Sequence, residues 1–305
     1  MSAEREPSRI LVLANPRVSR KHPGLNDAIK THLAGATLET VEGPAAMSTR
    51  ARAAADEGFE RIVVAGGDGT VGVVIRALVD TGSSAQGPAL GIIPIGTFNN
   101  FARSLGIPTD VAEACSVIES GTPAPVDLGR VISRSPATSF VFKEVVGVGI
   151  DALAFADSVD VAGPQKIPLG AMAAVSALLK FRLHPVKFRF STTDRWERCT
   201  QLLVANTPSF CAAFPVAPEA LLDDKLFHVI SRTWRGRLHM LAELPRILSG
   251  RHCELERDST RTASKVLVTG HSKVLLHADG EFFCRMPATI EMLAGAIRII
   301  RPTRA

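Results

Sequence analysis

The first third of the chain repeats one pattern: a short, continuously apolar run, a loop, then a stretch with helical spacing. Ile10 to Ala14 (ILVLA) reads as a strand, and Leu25 to Leu33 as a helix. A weaker strand at Thr37 to Val41 precedes an alanine-rich helix from about Ala45 to Glu57. Arg61 to Ala65 (RIVVA) is a third strand, followed by a helix over Val71 to Val79, and Leu90 to Ile93 is a fourth, ending at Pro94. Strands that are apolar at every position are buried on both faces, which calls for a parallel sheet with helices on either side. The expected fold class is therefore α/β in this half, with ligands bound where strands run into loops at their carboxyl ends.

After a helix at Asp110 to Glu119 the rhythm changes. Gly121 to Pro125 (GTPAP) looks like a linker. Short β-branched runs follow at Val126–Ile132, Ser139–Val148, Val186–Ser191, Gln201–Ala205, Leu226–Ser231, Val266–Thr269, Val274–Leu276 and Ile297–Ile300. Such runs separated by turns indicate a mainly antiparallel second domain. Two helical stretches interrupt it, near Leu169–Arg182 and Gly236–Leu248. The expected division is 1–125 for the α/β domain and 126–305 for a β-rich domain, whose last residues could pack back on the first.

Composition narrows the function classes. Hydrophobic residues make up 46% and charged residues 21% of the 305, so the chain can build a packed core and is not disordered. The mean hydropathy of +0.17 requires a check for membrane spans. The best candidate, Ile167–Phe181, is shorter than the roughly 20 apolar residues a span needs and contains Lys180. No apolar signal core precedes Ile10, and the five cysteines lack a CxxC pair. Both features fit a reducing cytoplasm and argue against disulfides or a zinc site. A net charge of +5 suits a phosphate ligand or an anionic membrane face; no motif supports nucleic acid.

Three segments carry chemistry. In RIVVAGGDGT (61–70), Gly66, Gly67 and Gly69 let backbone amides approach phosphate oxygens, and the following helix adds the positive end of its dipole. Asp68 is placed to act through a Mg²⁺ bound with the substrate phosphates; a glycine turn with an aspartate cap is the structural alternative. In LGIIPIGTFNNFARSLGIP (90–108), Gly96, Thr97 and Asn99–Asn100 present a second loop suited to a nucleotide, or an asparagine that only caps a helix. Asn15-Pro16 ends the first strand beside them. The third segment, His277-Ala278-Asp279-Gly280-Glu281, is a polar hairpin turn in which Glu281 is either solvated or a general base for a substrate hydroxyl.

GGDGT followed by PIGTFNNFARSLGIP resembles the diacylglycerol kinase catalytic-domain family, especially its bacterial soluble lipid kinases, with sphingosine and ceramide kinases more distant. Further matches follow in the family's order: NPR (15–17), VDLGRV (126–131), GVGIDA (147–152), VANTPSF (204–210), APEALLDDKLFHV (217–229) and ADGE (278–281). GGDGT alone would also fit NAD kinases and, loosely, phosphofructokinases. The resemblance implies an N-terminal domain like those of NAD kinases and phosphofructokinases and a C-terminal, mainly antiparallel β-sandwich. It implies ATP- and Mg²⁺-dependent phosphorylation of a lipid hydroxyl, with diacylglycerol or a related lipid as substrate. By position, Asn15, Gly66, Gly67, Asp68, Gly69, Thr70, Gly96, Thr97 and Asn99 would hold ATP. Asp68 and Asp127 would serve the metal network, and Glu281 would be the base. Asp224, with backbone carbonyls of Leu221 and Leu226, would hold a structural divalent ion. The lipid would be met at a membrane surface by a cytoplasmic, peripherally associated enzyme; a homodimer is compatible with this.

The chain departs from the family in four places. Asn100 stands where an aspartate is usual and removes one negative charge from the metal network. Lys225 replaces the glycine after the paired aspartates, FCAAFP (210–215) replaces a glycine-rich turn, and NPRVSRKHPG replaces the glycine-containing first loop. In that loop Arg17, Arg20 and Lys21 are solvated surface or phosphate contacts. Ile167–Phe181, flanked by Lys166, Lys180 and Arg182, is a core helix or a membrane-docking face. Two other functions stay open: a kinase for a non-lipid hydroxyl such as a dinucleotide or a sugar, and a non-catalytic nucleotide- or lipid-binding protein.

Overall fold

The structure is a computed structural model that describes residues 9–80, 87–134, 137–149, 184–210, 214–236, 238–239, 242–243, 246, 259–271 and 274–303. The apolar stretch Ile167–Phe181, the helix expected over Leu169–Arg182, and the centre of FCAAFP lie outside the described residues. The chain forms two compact units. The first runs to Asp127 and resumes at Ala294; most of the second is Leu128–Phe210 and Phe214–Leu293. None of the helices among the described residues is long and apolar enough to cross a membrane.

The first unit holds β1 (Ile10–Ala14), α1 (Pro16–Ser19), α2 (Leu25–His32), β2 (Thr37–Thr40), α3 (Pro44–Asp56), β3 (Arg61–Gly66), α4 (Asp68–Asp80), β4 (Ala89–Pro94), α5 (Asn100–Ser104) and α6 (Val111–Ser120). The strands lie in the order β2-β1-β3-β4, all parallel, as their uninterrupted apolar runs require. Val12, Val63, Ile93 and Cys115 are buried on one face together with Leu25 and Ile29 of α2. Gly91 in β4 is set by this packing, because a Cβ there would come within 3.0 Å of both Ile118 of α6 and Val63. α6 begins one residue later than expected: Asp110 is its N-cap, accepting the amides of Ala112 and Glu113 at 2.9 and 3.0 Å.

The remaining strands are β5 (Thr122–Arg134), β6 (Ala137–Phe142), β7 (Val145–Val148), β8 (Val186–Phe190), β9 (Glu197–Cys199), β10 (Gln201–Ala205), β11 (Ser209–Phe210), β12 (Phe214–Pro215), β13 (Phe227–Arg232), β14 (Ser259–Ala263), β15 (Lys265–Gly270), β16 (Leu275–Ala278), β17 (Phe282–Arg285) and β18 (Ala288–Arg301). Within the second unit, β14-β13-β10-β7-β16-β17 form one antiparallel sheet, and β15 pairs antiparallel with both β8 and the first half of β18. Phe142, Val148, Phe188, Leu202, Phe227 and Val266 fill the core of this sandwich. Arg261 of β14 forms a bidentate pair with Glu197 of β9 at 2.6 and 2.7 Å, joining the terminal strands of the two sheets. Within the first unit, the far end of β18 adds in parallel beside β4, with Ile299 opposite Leu90.

Two expectations are corrected. GTPAP is not a linker: Thr122–Pro125 opens β5, where prolines are tolerated at a strand's first positions. Ser139–Val148 is not one strand either. It breaks at Lys143–Glu144, whose amides turn away from the ladder to a side-chain carboxylate of the β16–β17 turn. Gly129 in VDLGRV has a packing cause: it lies opposite Phe142, whose ring occupies the space a Cβ would take.

Candidate active site

In the first unit, β1, β3 and β4 end level, with Ala14 opposite Ala65 and Gly66 opposite Pro94. With β1 lying between β2 and β3, the strand order reverses between β1 and β3, the position at which open α/β sheets bind ligands outside their carboxyl ends. Asn15 bridges that point. Its amide nitrogen donates to Thr70 Oγ1 at 3.1 Å, its backbone N–H to Ala65 O at 3.2 Å, and its Oδ1 accepts the Arg17 amide at 3.0 Å. The end of β1 is thereby tied to the first turn of α4, where the amides of Asp68, Gly69 and Thr70 have no intrahelical acceptor.

The loop after β3 and the loop after β4 touch through their glycines. A Cβ on Gly67 would lie 3.0 Å from Gly96 Cα, and a Cβ on Gly96 would collide with Gly67 Cα and come within 2.7 Å of Asn99 Oδ1. Gly66 is likewise required by Thr70, whose Cβ would be 2.8 Å away. These glycines are fixed first by the packing of two backbones. Asp68 caps a neighbouring helix: Oδ2 accepts the amide of Asn100 and Oδ1 that of Phe101, both at 3.2 Å, at the start of α5. Asn99 is buried, at φ +52°, and works inside its own loop. Its Oδ1 accepts the Gly96 amide at 2.9 Å, while its Nδ2 donates to Pro94 O and Gly96 O at 3.1 and 3.0 Å. It does not cap α5 through its side chain; its amide group holds the shape of the loop expected to line the nucleotide site. Gly69 and Thr97 are exposed, as are Arg17, Arg20 and Lys21; Asn15, Gly67, Asp68, Thr70 and Gly96 are half-buried.

Asp127 is buried, and its Oδ1 accepts the Gly295 amide at 2.6 Å, where Gly295 sits at φ +56° in β18. It therefore fixes a left-handed residue of β18. Asp224 accepts the Leu226 amide on Oδ1 at 3.0 Å in a tight turn whose middle residue, Lys225, stands at φ +65°. A left-handed conformation is where glycine carries no Cβ penalty, so the turn persists although lysine occupies its centre. Leu221 is exposed and Leu226 half-buried. Among the described residues no three His, Cys, Asp or Glu side chains gather as a metal-ligand group. Asp68 still fits Mg²⁺, because an ionised carboxylate that accepts one amide on each oxygen keeps a lone pair on each. One carboxylate with substrate phosphates is a normal Mg²⁺ donor set.

In the second unit, the turn between β16 and β17 holds Asp279, Gly280 and Glu281, with Asp279 at φ +53° and Gly280 at φ +70°. Asp279 points inward. Its Oδ2 accepts the Lys143 amide at 2.9 Å, and its Oδ1 accepts the amides of Glu144 and Val145 at 2.9 and 3.0 Å. The Lys143 ammonium, also buried, lies 2.6 Å from Glu144 Oε1 and 3.5 Å from Asp279 Oδ2. Burial alone would depress its pKa, yet Asp279, Glu144 and Glu281 together hold it well above the usual lysine value. His277 accepts the Gly280 amide on Nδ1 at 3.2 Å, which places the proton of the neutral ring on Nε2. Burial pushes its pKa down to about 4, with Asp279 opposing that shift. Glu281 is the exposed member of the group.

Sequence reasoning passed over Lys143, Glu144 and Asn206. The signal was present as a charged pair inside the apolar run FVFKEVVGVG. Asn206 is fully buried; its Nδ2 donates to Lys143 O at 3.0 Å and its backbone N–H to Glu144 O at 2.8 Å, so the conspicuous asparagine of VANTP supports the same corner.

Residues 9–131 match the diacylglycerol kinase catalytic domain, and residues 144–301 match the YegS C-terminal NAD kinase beta sandwich-like domain. A diacylglycerol kinase of Mycobacterium tuberculosis is 32% identical over 256 residues, covering 82% of this chain and 79% of that protein. One from Bacillus subtilis is 28% identical over 258 residues, covering 83% and 81%. A crystal structure of a diacylglycerol kinase from Bacillus anthracis superposes with a TM-score of 0.71 at 19% identity, over 96% of this chain and 97% of that one. At that identity the superposition speaks for the fold.

Proposed function

The chain belongs to the diacylglycerol kinase catalytic-domain family and is a phosphotransferase acting on a hydroxyl, and from that premise we propose that it transfers the γ-phosphoryl group of ATP to a lipid hydroxyl, with diacylglycerol or a close relative as acceptor. The observation that carries the nucleotide half is the junction at the ends of β1, β3 and β4, where Asn15 is bonded to Thr70 and Gly67 lies against Gly96. The amides of Gly67 to Thr70 stand at the positive end of a 13-residue helix and suit the phosphates. Asp68 would hold Mg²⁺, which when bound neutralises charge on the phosphates. Glu281 takes the proton as the lipid oxygen forms its bond to the γ-phosphorus and the bond to ADP breaks. The lipid acceptor is supported by the names of the relatives, and action at a membrane surface would follow from such a substrate.

The test is labelled ATP with Mg²⁺ and mixed micelles carrying diacylglycerol, other hydroxyl lipids or, separately, NAD. Label in a lipid is expected, and Glu281→Gln should lose turnover while still binding ATP. Label in NAD alone would reject the lipid reading; no label anywhere, with ATP bound, would make the protein a nucleotide-binding relative. Normal turnover by Glu281→Gln would remove that residue as the base.

A further inference from the structure

The turn that carries Glu281 is held from inside the second unit by two side chains outside the DGE motif. Asp279 and Gly280 are successive residues in the left-handed region, the conformation an Asp-Gly hairpin turn favours, and the surroundings of the turn fix how it is held. Those surroundings are specific. The Asp279 carboxylate gathers the three amides of residues 143–145, and its own amide donates to Val145 O at 2.9 Å. The Lys143 ammonium then closes on the same carboxylate and on Glu144. From the other side, the His277 imidazole takes the Gly280 amide.

We infer that Lys143 and His277 are positioning residues for Glu281, the first acting through the Asp279 carboxylate and the second through the Gly280 amide. This rests on Glu281 being the base of the proposed reaction. A purely structural ion pair would need one carboxylate for one ammonium; here the buried Lys143 ammonium lies against both Glu144 and Asp279, the second of which belongs to the turn that bears Glu281. The charged and titratable groups that bear on the turn are Lys143 and Glu144 from the β6–β7 break, Asp279 within the turn, and His277 from β16. Glu281 is the exposed carboxylate of the three. His277 can accept the Gly280 amide only while its ring is neutral, which burial ensures.

The experiment uses the full chain with labelled ATP and diacylglycerol micelles. It compares wild type, His277→Phe, His277→Asn, Glu281→Gln and the double variant Lys143→Met/Glu144→Gln, which removes both charges and so avoids stranding a buried glutamate. His277→Phe should lower kcat about tenfold or more with KM for ATP unchanged, and His277→Asn, whose Oδ1 can take the same amide, should restore it. The double variant takes one cation and one anion from beside the turn, so the net charge there is unchanged; the acid limb of the kcat profile should stay in place while kcat falls about tenfold, because Asp279 has lost its ammonium partner. Hydrogen exchange at Gly280 should speed up in His277→Phe and return toward the wild-type rate in His277→Asn. Wild-type kcat in both His277→Phe and the double variant, or unchanged Gly280 exchange in His277→Phe, would overturn the inference. A wild type that labels no lipid, or a Glu281→Gln variant at full rate, would instead overturn the proposed function; the exchange measurement still decides whether the clamp exists.

Discussion

Gly96→Ala isolates the contact between the two loops of the first unit. The added methyl carbon would collide with Gly67 Cα and stand 2.7 Å from Asn99 Oδ1, where ordinary contact begins near 3.4 Å. Neither neighbour can yield cheaply. Gly67 is backbone at the start of α4, and Asn99 is pinned by three hydrogen bonds within its own loop. The loops must therefore move apart by roughly 1 Å, an overpacking strain of about 1–3 kcal/mol. At about 2–4 °C per kcal/mol for a unit of this size, a central value of about 2 kcal/mol lowers Tm by about 4–8 °C. The same displacement pulls the Gly67–Thr70 amides from their setting, so ATP affinity should fall about tenfold, equivalent to about 1.4 kcal/mol. The control is Gly24→Ala, at φ −82° with nothing within 4 Å of the added carbon, which should stay within about 0.5 kcal/mol of wild type and bind ATP normally. Calorimetry for Tm and titration with ATP read both effects. A Gly96→Ala protein that melts and binds like Gly24→Ala would refute the claim that loop packing sets the nucleotide site.

Four other outcomes follow from the same geometry. Asp68→Ala should remove the cap on α5, destabilising by about 1 kcal/mol, and weaken Mg·ATP binding; unchanged affinity by titration would take Asp68 out of the site. Lys225→Gly should stabilise by up to about 1 kcal/mol in urea unfolding, because the left-handed strain at φ +65° exceeds the extra chain entropy of glycine. Asp279→Asn keeps one acceptor oxygen for three buried amides and removes the charge beside Lys143, so a loss of about 2–4 kcal/mol is expected, and a loss under about 1 kcal/mol would show that the amides find other partners. His277 has a folded pKa near 4 against an ordinary value of 6.5, so between those pH values the unfolded chain binds the extra proton. Stability should therefore fall as pH drops from 6.5 toward 4, by about 3 kcal/mol from this group; that component should be absent from His277→Asn and so appear in the wild-type minus variant difference, and a flat difference would refute it.

The strands of the first unit were legible because burial on both faces leaves an unbroken apolar run, as in ILVLA and RIVVA. The second unit was legible as antiparallel for the opposite reason, its short runs and frequent turns. What could not be read were interruptions caused by distant residues. Nothing local to FVFKEVVGV announces that its amides bond to Asp279, 135 residues on, so the break between β6 and β7 stayed hidden. Asn99 shows the same limit: an asparagine near a glycine can serve as a ligand, a cap or a brace of its own loop, and only the positions of Pro94 and Gly96 around it reveal the last. The mutual approach of Gly67 and Gly96 was equally hidden, because it depends on how the loops after β3 and β4 are brought together.

The acidic residues of the motifs share a physical role that bears on how such a site can diverge. Asp68 gathers two amides of α5, Asp127 one of β18, Asp279 three of the β6–β7 break, and Asp224 one of its own turn. A carboxylate has about four lone-pair positions, so the same group can organise backbone and still face a metal or a proton. This makes each aspartate hard to replace even where the chemistry relaxes, because its loss strands buried amides. At Asn100, Asp68 takes the backbone N–H, a bond that does not depend on which side chain stands there. An asparagine there, where the resembled family usually has aspartate, carries no negative charge at a buried position and leaves the backbone N–H that Asp68 accepts in place. The divergence at Lys225 is of the other kind: the backbone kept a conformation suited to glycine, and the side chain was added at a cost of about 1 kcal/mol in strain.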